Sequence, residues 1–139
     1  MTIQLIPASL EQADILHSFL VENKICYHKS KFKQEILKGL VYAIQDNQTI
    51  IGTVTIYPNK PDSFPLGIGN ATSAWYIQNF VYDKESLFFS TIFSSIENFV
   101  KEKGIIHLFI QSNKFYELES VGFVKILPAN IQVMTKTLC

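Results

Sequence analysis

The sequence predicts a mixed α/β (α+β) fold in a single domain spanning residues 1–139, and three observations lead to it. Apolar residues alternate, or run unbroken, in short segments bounded by Pro, Gly and Asn, as strands do. Between these segments lie stretches whose apolar residues recur at helical spacing. The stretch Trp75 to Gly104 then joins the two patterns: a strand WYIQNFVYD, a connection KES, and an amphipathic helix LFFSTIFSSIENFVKEKG that stops at a glycine. A helix crossing between two central strands makes a right-handed unit with parallel strands, and ligands settle at the C-terminal ends of such strands. The predicted sheet is mostly antiparallel and flanked by helices.

The 139 residues are enough for a core, and the 47% hydrophobic and 13% aromatic fractions argue against disorder. Net charge is zero, so no global field draws the chain to nucleic acid or to an anionic membrane. All 12 basic residues are lysines, so any bound anion must be met by Lys or by backbone N–H groups rather than by a guanidinium fork. The first twenty residues carry Glu11 and Asp14 but no Lys, unlike a secretory leader, and no run approaches the roughly 18 apolar residues of a membrane span. Cys26 and Cys139 form no metal or redox spacing, and a reduced, cytoplasmic protein without a metal is expected.

Taken in order, Thr2–Ile6 alternates and ends at Pro7, as a first strand does. Ser9 with Gln12 forms a capping-box pattern ahead of the stripe Ile15, Leu16, Phe19 and Leu20, placing a helix at about Leu10–Asn23. After KICYHKS a second helix opens at Ser30 or Lys31, with Phe32, Ile36, Leu37 and Leu40 on one side and Gly39 near its end. Val41–Ile44 and Ile50–Tyr57 read as a hairpin turning at Asp46-Asn47. Gly52 lies inside the returning strand, where glycine marks a bulge or a close backbone approach. Pro58–Ser73, with three prolines and two glycines, is a long connection. Ala74–Tyr82 is a strand, and Ser86 or Ser90 caps the following helix, whose inner face carries Ile92, Phe93, Ile96, Phe99 and Val100. Ile105–Ile110 is a buried strand, Asn113–Ser120 a short helix, and Phe123–Leu127 and Ile131–Leu138 finish the sheet. The order is β-α-α-β-β-β-α-β-α-β-β.

This order, with the hairpin IQDNQTIIG (Ile44–Gly52), the strand IQNFVYD (Ile77–Asp83), the segment FYELESVGF (Phe115–Phe123) and the ending VMTKTL (Val133–Leu138), resembles the GNAT superfamily of acyl-CoA-dependent N-acetyltransferases over nearly the whole chain. The resemblance implies acetyl-CoA as acyl donor and an amine of a small molecule or protein as acceptor, with direct attack on the thioester. It implies that Phe80, Val81 and Tyr82 line the pantetheine arm, that Lys84, Ser86 and Ser90 in the following turn meet the pyrophosphate, and that Asn113 also contacts the cofactor. Tyr116 would protonate the departing thiolate. Tyr27 and His28, between the first two helices, and Gln78 on the central strand would contact the acceptor. A homodimer is open to the chain, since relatives of this kind often dimerise.

The sequence departs from the family pattern at three places. The turn DKESLFFS contains no glycine, whereas close approach of backbone to phosphate favours glycine. Gln78 stands where the family often has a Glu, and an amide cannot take the amine's proton. The family's Tyr position, counted back from Gly122, falls on Leu118, and Tyr116 lies two residues earlier, about 200° round a helix. Two readings follow: an N-acetyltransferase, or a catalytically inactive domain of this fold that has lost CoA binding and serves as an interaction or ligand-sensing module. His107, in IIHLFI, reads as a hydrogen-bonded buried histidine or as a base. Phe88 and Phe89 read as a plug for the cofactor groove or as the anchor of the helix start.

Overall fold

In the computed structural model, residues 3–59, 74–83, 89–111, 122–125 and 133–137 are described. The chain enters as strand β1 (Ile3–Pro7), a single 3-10 turn (Leu10–Gln12), helix α1 (Ala13–Glu22) and helix α2 (Lys29–Leu37). Strands β2 (Val41–Asp46), β3 (Thr49–Tyr57) and β4 (Ala74–Tyr82) follow, then helix α3 (Phe89–Glu102) and strands β5 (His107–Gln111), β6 (Val124–Lys125) and β7 (Val133–Thr137). The expected helix at Asn113–Ser120 and most of the Pro58–Ser73 connection lie outside the described residues.

The backbone divides into two compact units, Met1–Ile56 with Asn79–Phe88 and Tyr57–Gln78 with Phe89–Cys139, so β4 contributes its first half to one and its second half to the other. In the first unit the strands follow the order β1-β2-β3-β4. β1 pairs antiparallel with β2, and β2 with β3, with a register shift after Ile44. Ile44 faces Gly52 and Gln45 faces Ile50, which leaves Ile51 as the extra residue of a bulge. Leu16, Leu20, Phe32 and Ile36 from α1 and α2 bury against Val41, Ala43 and Val81. These four belong to the helical stripes the spacing predicts, each large side chain contributing about 1.5–3 kcal/mol on burial, whereas Ile15 and Leu37 of the same predicted stripes are exposed.

The two helix ends in this unit are set by backbone chemistry. Gln12 Oε1 accepts from the Ser9 N–H at 3.0 Å, as the capping-box pattern requires, but the first turn winds as a 3-10 turn and α1 proper starts at Ala13. α2 closes with Gly39 at φ 75°, where the Gly39 N–H reaches Ile36 O at 3.0 Å and the Leu40 N–H reaches Glu35 O at 3.1 Å, the paired bonds of a Schellman motif. The hairpin turns at Asn47-Gln48, one residue later than the sequence suggests, with φ 49° and 75°. Positive φ at both residues suits the right-handed twist of the flanking strands.

In the second unit the order is β4-β5-β7-β6. β4 and β5 pair parallel, from Ala74↔His107 to Ile77↔Ile110, and β5–β7 and β6–β7 pair antiparallel. α3 buries Ile92, Phe93, Ile96 and Val100, and Phe93 meets Phe123 edge-on at 5.3 Å between centroids. Ser90 occupies the first turn of α3 rather than preceding it, so it is not the N-cap, and its carbonyl accepts from Ser94 Oγ at 2.8 Å. Lys136 of β7 pairs with Glu97 of α3 at 2.5 Å, with both side chains largely buried. Among the described residues, no helix is long and apolar enough to cross a membrane.

Candidate functional site

β4 carries the site-forming irregularity. Its parallel ladder to β5 runs from Ala74 to Ile77 and, among the described residues, no further. Two residues on, Asn79 adopts φ 54°, a left-handed conformation in the middle of a strand, where a side chain other than Asn, Asp or Gly is strained. Phe80, Val81 and Tyr82 follow, all buried, with the rings of Phe80 and Tyr82 5.6 Å apart. Their backbone lies beyond the described rungs of the β5 ladder.

β3 supports this half of β4 at very short range. The Asp83 N–H donates to Ile51 O at 2.7 Å, and a Cβ on Gly52 would stand 2.3 Å from Val81 O and 2.8 Å from Tyr82 Cα. Glycine is therefore required there by a close backbone approach, at φ outside the left-handed region. The bulge at Ile51, in the pairing of β3 with β2, and the kink at Asn79 fall on neighbouring strands.

Gln78, the last β4 residue before the kink, is half-buried and donates from Nε2 to Gln111 Oε1 at 3.1 Å. Gln111 follows Ile110 on β5 just as Gln78 follows Ile77 on β4, so the amide pair stands directly after the last described rung of the parallel ladder. Neither residue ionises.

The α1–α2 connection is built around Tyr27. Its hydroxyl donates to Glu35 Oε1 at 2.7 Å, and its carbonyl oxygen lies 2.6 Å from His17 Nε2, which donates to it. Its ring meets Phe32 edge-on at 6.4 Å, with the Lys31 ammonium 5.2 Å from its centroid. Glu35 is only 5% exposed, and the Tyr27 hydroxyl meets its carboxylate in an apolar setting. His28 is exposed at the N-cap of α2, where its side chain makes no capping bond. Nearby, Lys29 bonds the exposed Asp14 carboxylate and holds it below the ordinary carboxylate range.

Phe89 begins α3 and stacks on Phe93 at 5.6 Å, which anchors the helix start. Ser90 is exposed on its first turn. Lys84, Ser86, Phe88, Asn113, Tyr116 and Leu118 lie outside the described residues. His107, at the start of β5, is half-buried and faces Thr137 in the register with β7. Among the described residues, no group of three or more His, Cys, Asp or Glu could hold a metal ion.

Three contributors escaped sequence reading. Glu35 sits among lysines on an apparently ordinary solvated helix face, and nothing in the spacing marks it as the partner of Tyr27. Gln111 could have been found, because a parallel register that sets Ile77 beside Ile110 sets Gln78 beside Gln111. Asn79 carried a weaker signal, being an Asn inside an otherwise apolar strand.

Solved structures share this architecture. The chain is similar to PaiA N-acetyltransferase from Thermoplasma acidophilum in complex with coenzyme A, with a TM-score of 0.69, 16% identity and 99% of each chain covered. A GNAT-family acetyltransferase from Staphylococcus aureus Mu50 matches with a TM-score of 0.68 and 12% identity, over 99% of this chain and all of that one. N-acetylglutamate synthase from Neisseria gonorrhoeae, complexed with coenzyme A and N-acetyl-glutamate, matches with a TM-score of 0.69 and 11% identity, over all of this chain and 36% of that one. No family model matches the sequence, and no curated protein does. The fold is that of the GNAT acetyltransferases, a mixed α/β sheet flanked by helices.

Proposed function

We propose that the chain is one acyl-CoA-dependent N-acetyltransferase domain that moves the acetyl group of acetyl-CoA to an amine of a small molecule or protein. The observation that carries this reading is the kink at Asn79, φ 54°, between the Ala74–Ile77 stretch of β4 paired with β5 and the backbone of Phe80, Val81 and Tyr82. Strand backbone can pair with the amides of an extended pantetheine arm, as with an added strand. In this reading Lys84, Ser86 and Ser90 offer a charge and hydroxyls to the pyrophosphate, and Asn113 adds a cofactor contact. Tyr27, His28 and Gln78 face the acceptor, and Tyr116 protonates the departing thiolate. Positioning amine and thioester together supplies most of the acceleration, so an amide in place of a carboxylate at position 78 is compatible with turnover.

A second reading, a non-catalytic module of the same fold, is favoured by two observations. Gln78 is an amide bonded to Gln111 rather than a base, and the DKESLFFS turn lacks glycine. Isothermal titration with acetyl-CoA separates the two. Binding heat, with a rise in unfolding temperature that grows with cofactor concentration, supports the transferase. Neither heat nor stabilisation at millimolar acetyl-CoA leaves the module reading standing.

A further inference from the structure

We infer that Thr55 of β3 and Asn79 of β4 hold one internal water molecule between them. The inference concerns the kink in β4 itself and stands whether or not the chain binds acetyl-CoA.

Both residues belong to the first compact unit, and both are buried, Thr55 fully and Asn79 to 7% exposure. Among the described residues, neither Thr55 Oγ1 nor Asn79 Nδ2 has a hydrogen-bond partner. β3 and β4 are neighbours in the sheet. The Asp83 N–H bonds Ile51 O and Gly52 lies against Val81 and Tyr82, so the numbering of one strand rises as that of the other falls. This antiparallel register, continued from Gly52 to Thr55, brings Thr55 level with Asn79. On its other side Thr55 pairs with Val41, which packs with α1, α2 and Val81 in the apolar core of this unit. Cross-strand partners share a face of the sheet, so the Thr55 hydroxyl stands on that apolar face.

The choice of residues is the puzzle that a water resolves. Thr53, on the same face and equally buried, donates from Oγ1 to Tyr42 O at 3.0 Å. Thr55 makes no such bond among the described residues. Valine would fill nearly the same volume with no hydroxyl to desolvate, so an unmatched threonine there costs stability. The φ of 54° at Asn79 would suit glycine, with no amide to bury. Backbone conformation thus explains neither the hydroxyl nor the enclosed amide. An amide N–H donates, a hydroxyl donates or accepts, and a water molecule does both. One water accepts from Asn79 Nδ2 and donates to Thr55 Oγ1, which satisfies the two groups together. Buried waters with about two to four polar partners are integral parts of folds. This one ties β3 to β4 at the kink.

The test uses the full chain without ligand. In rotating-frame Overhauser spectra, the Asn79 side-chain amide protons should show cross-peaks to a long-lived water. A crystal structure should place a fully occupied water within about 3.2 Å of both Thr55 Oγ1 and Asn79 Nδ2. T55V keeps the shape and removes the hydroxyl. It should lower the ratio of folded to unfolded protein at fixed urea about tenfold, because the water and the amide lose a partner. An isolated hydroxyl would give the opposite sign. T55S keeps the hydroxyl and should keep the water cross-peak. N79G keeps the backbone conformation, and T55V/N79G should lose little more than the larger of the two single losses, since one water serves both groups. A T55V protein as stable as wild type or more so, strictly additive losses, a direct Thr55–Asn79 bond in place of the water, or no water cross-peak in the wild type would each overturn the inference. If N79G does not fold, the wild-type spectrum and T55V still decide it.

Discussion

The carbonyl oxygen of Val81 stands 2.3 Å from where a Cβ on Gly52 would be. β3 therefore reaches β4 only because residue 52 has no side chain, and the atoms in the way are backbone. Gly52→Ala should displace the Val81–Tyr82 segment and destabilise the protein by about 1–3 kcal/mol, the usual scale of overpacking. Thermal unfolding measures it, and a transition temperature equal to wild type would show that β3 yields without cost.

The Tyr27–Glu35 contact gives a second prediction. Removing the phenol oxygen leaves a carboxylate that is 5% exposed without that donor. Y27F should cost about 1–3 kcal/mol in denaturant unfolding. E35Q keeps an acceptor for the hydroxyl and should cost less than E35L. If Y27F and E35L add without coupling in a double-mutant cycle, the pair does not act as a unit.

At the other end of the chain, Lys136 and Glu97 make a partly buried ion pair at 2.5 Å. K136M strips Glu97 of that charge and should destabilise by about 1.5–3 kcal/mol, the scale of a charged hydrogen bond. Adding E97L should recover much of the loss, because two well-packed apolar groups can replace such a pair. Urea midpoints of the two single variants and the double variant settle the ordering.

Two groups give the stability opposite pH limbs. Lys29 bonds Asp14 and lowers its carboxyl from the ordinary 3.8. A carboxyl ionised more readily folded than unfolded contributes above its unfolded value, and the contribution disappears as pH falls through the lower folded value. D14N should flatten this acid limb slightly, and salt should do the same, because both side chains are solvated. Burial pushes the Tyr42 phenol up from 10.0. That proton is held more tightly when folded, so the contribution is intact below the unfolded value and lost as pH rises through the folded one. Y42F should remove this alkaline sensitivity in unfolding midpoints taken on either side of about pH 10.

Much of the fold was legible because periodicity and punctuation agreed. Ala74–Tyr82 was bounded correctly by its apolar run, and Gly39 and Gly104 end α2 and α3 at positive φ, as C-terminal glycines do. Gly52 was legible as a close approach. The ends of elements were less so: the 3-10 turn before α1, the one-residue displacement of the hairpin turn and the place of Ser90 inside α3 depend on local hydrogen bonds that composition does not rank. For the site, Gln78 was identifiable by likeness alone. Its partner Gln111 needed the register of two strands 33 residues apart, and Glu35 needed the packing of α2 on the Tyr27 ring.

The hairpin turn carries an easy improvement. Gln48 holds φ 75°, where glycine is at ease and a long side chain is not. Q48G creates the Asn-Gly pair that such turns favour and should stabilise by about 0.5–1 kcal/mol, read as a higher midpoint.

The Schellman end of α2 makes the chain intolerant of a change in length. Within three residues of Leu37 the backbone has reversed into β2, and the Leu40 and Val41 carbonyls already accept from Ile56 and Ala8. The rotation of α2 and the register of β2 are one variable there. A single residue inserted after Gly39 would turn β2's faces over, sending Val41 and Ala43 to the opposite side of the sheet from Phe32 and Ile36. Homologous chains should therefore differ in length elsewhere and keep the spacing from Phe32 to Ala43 fixed.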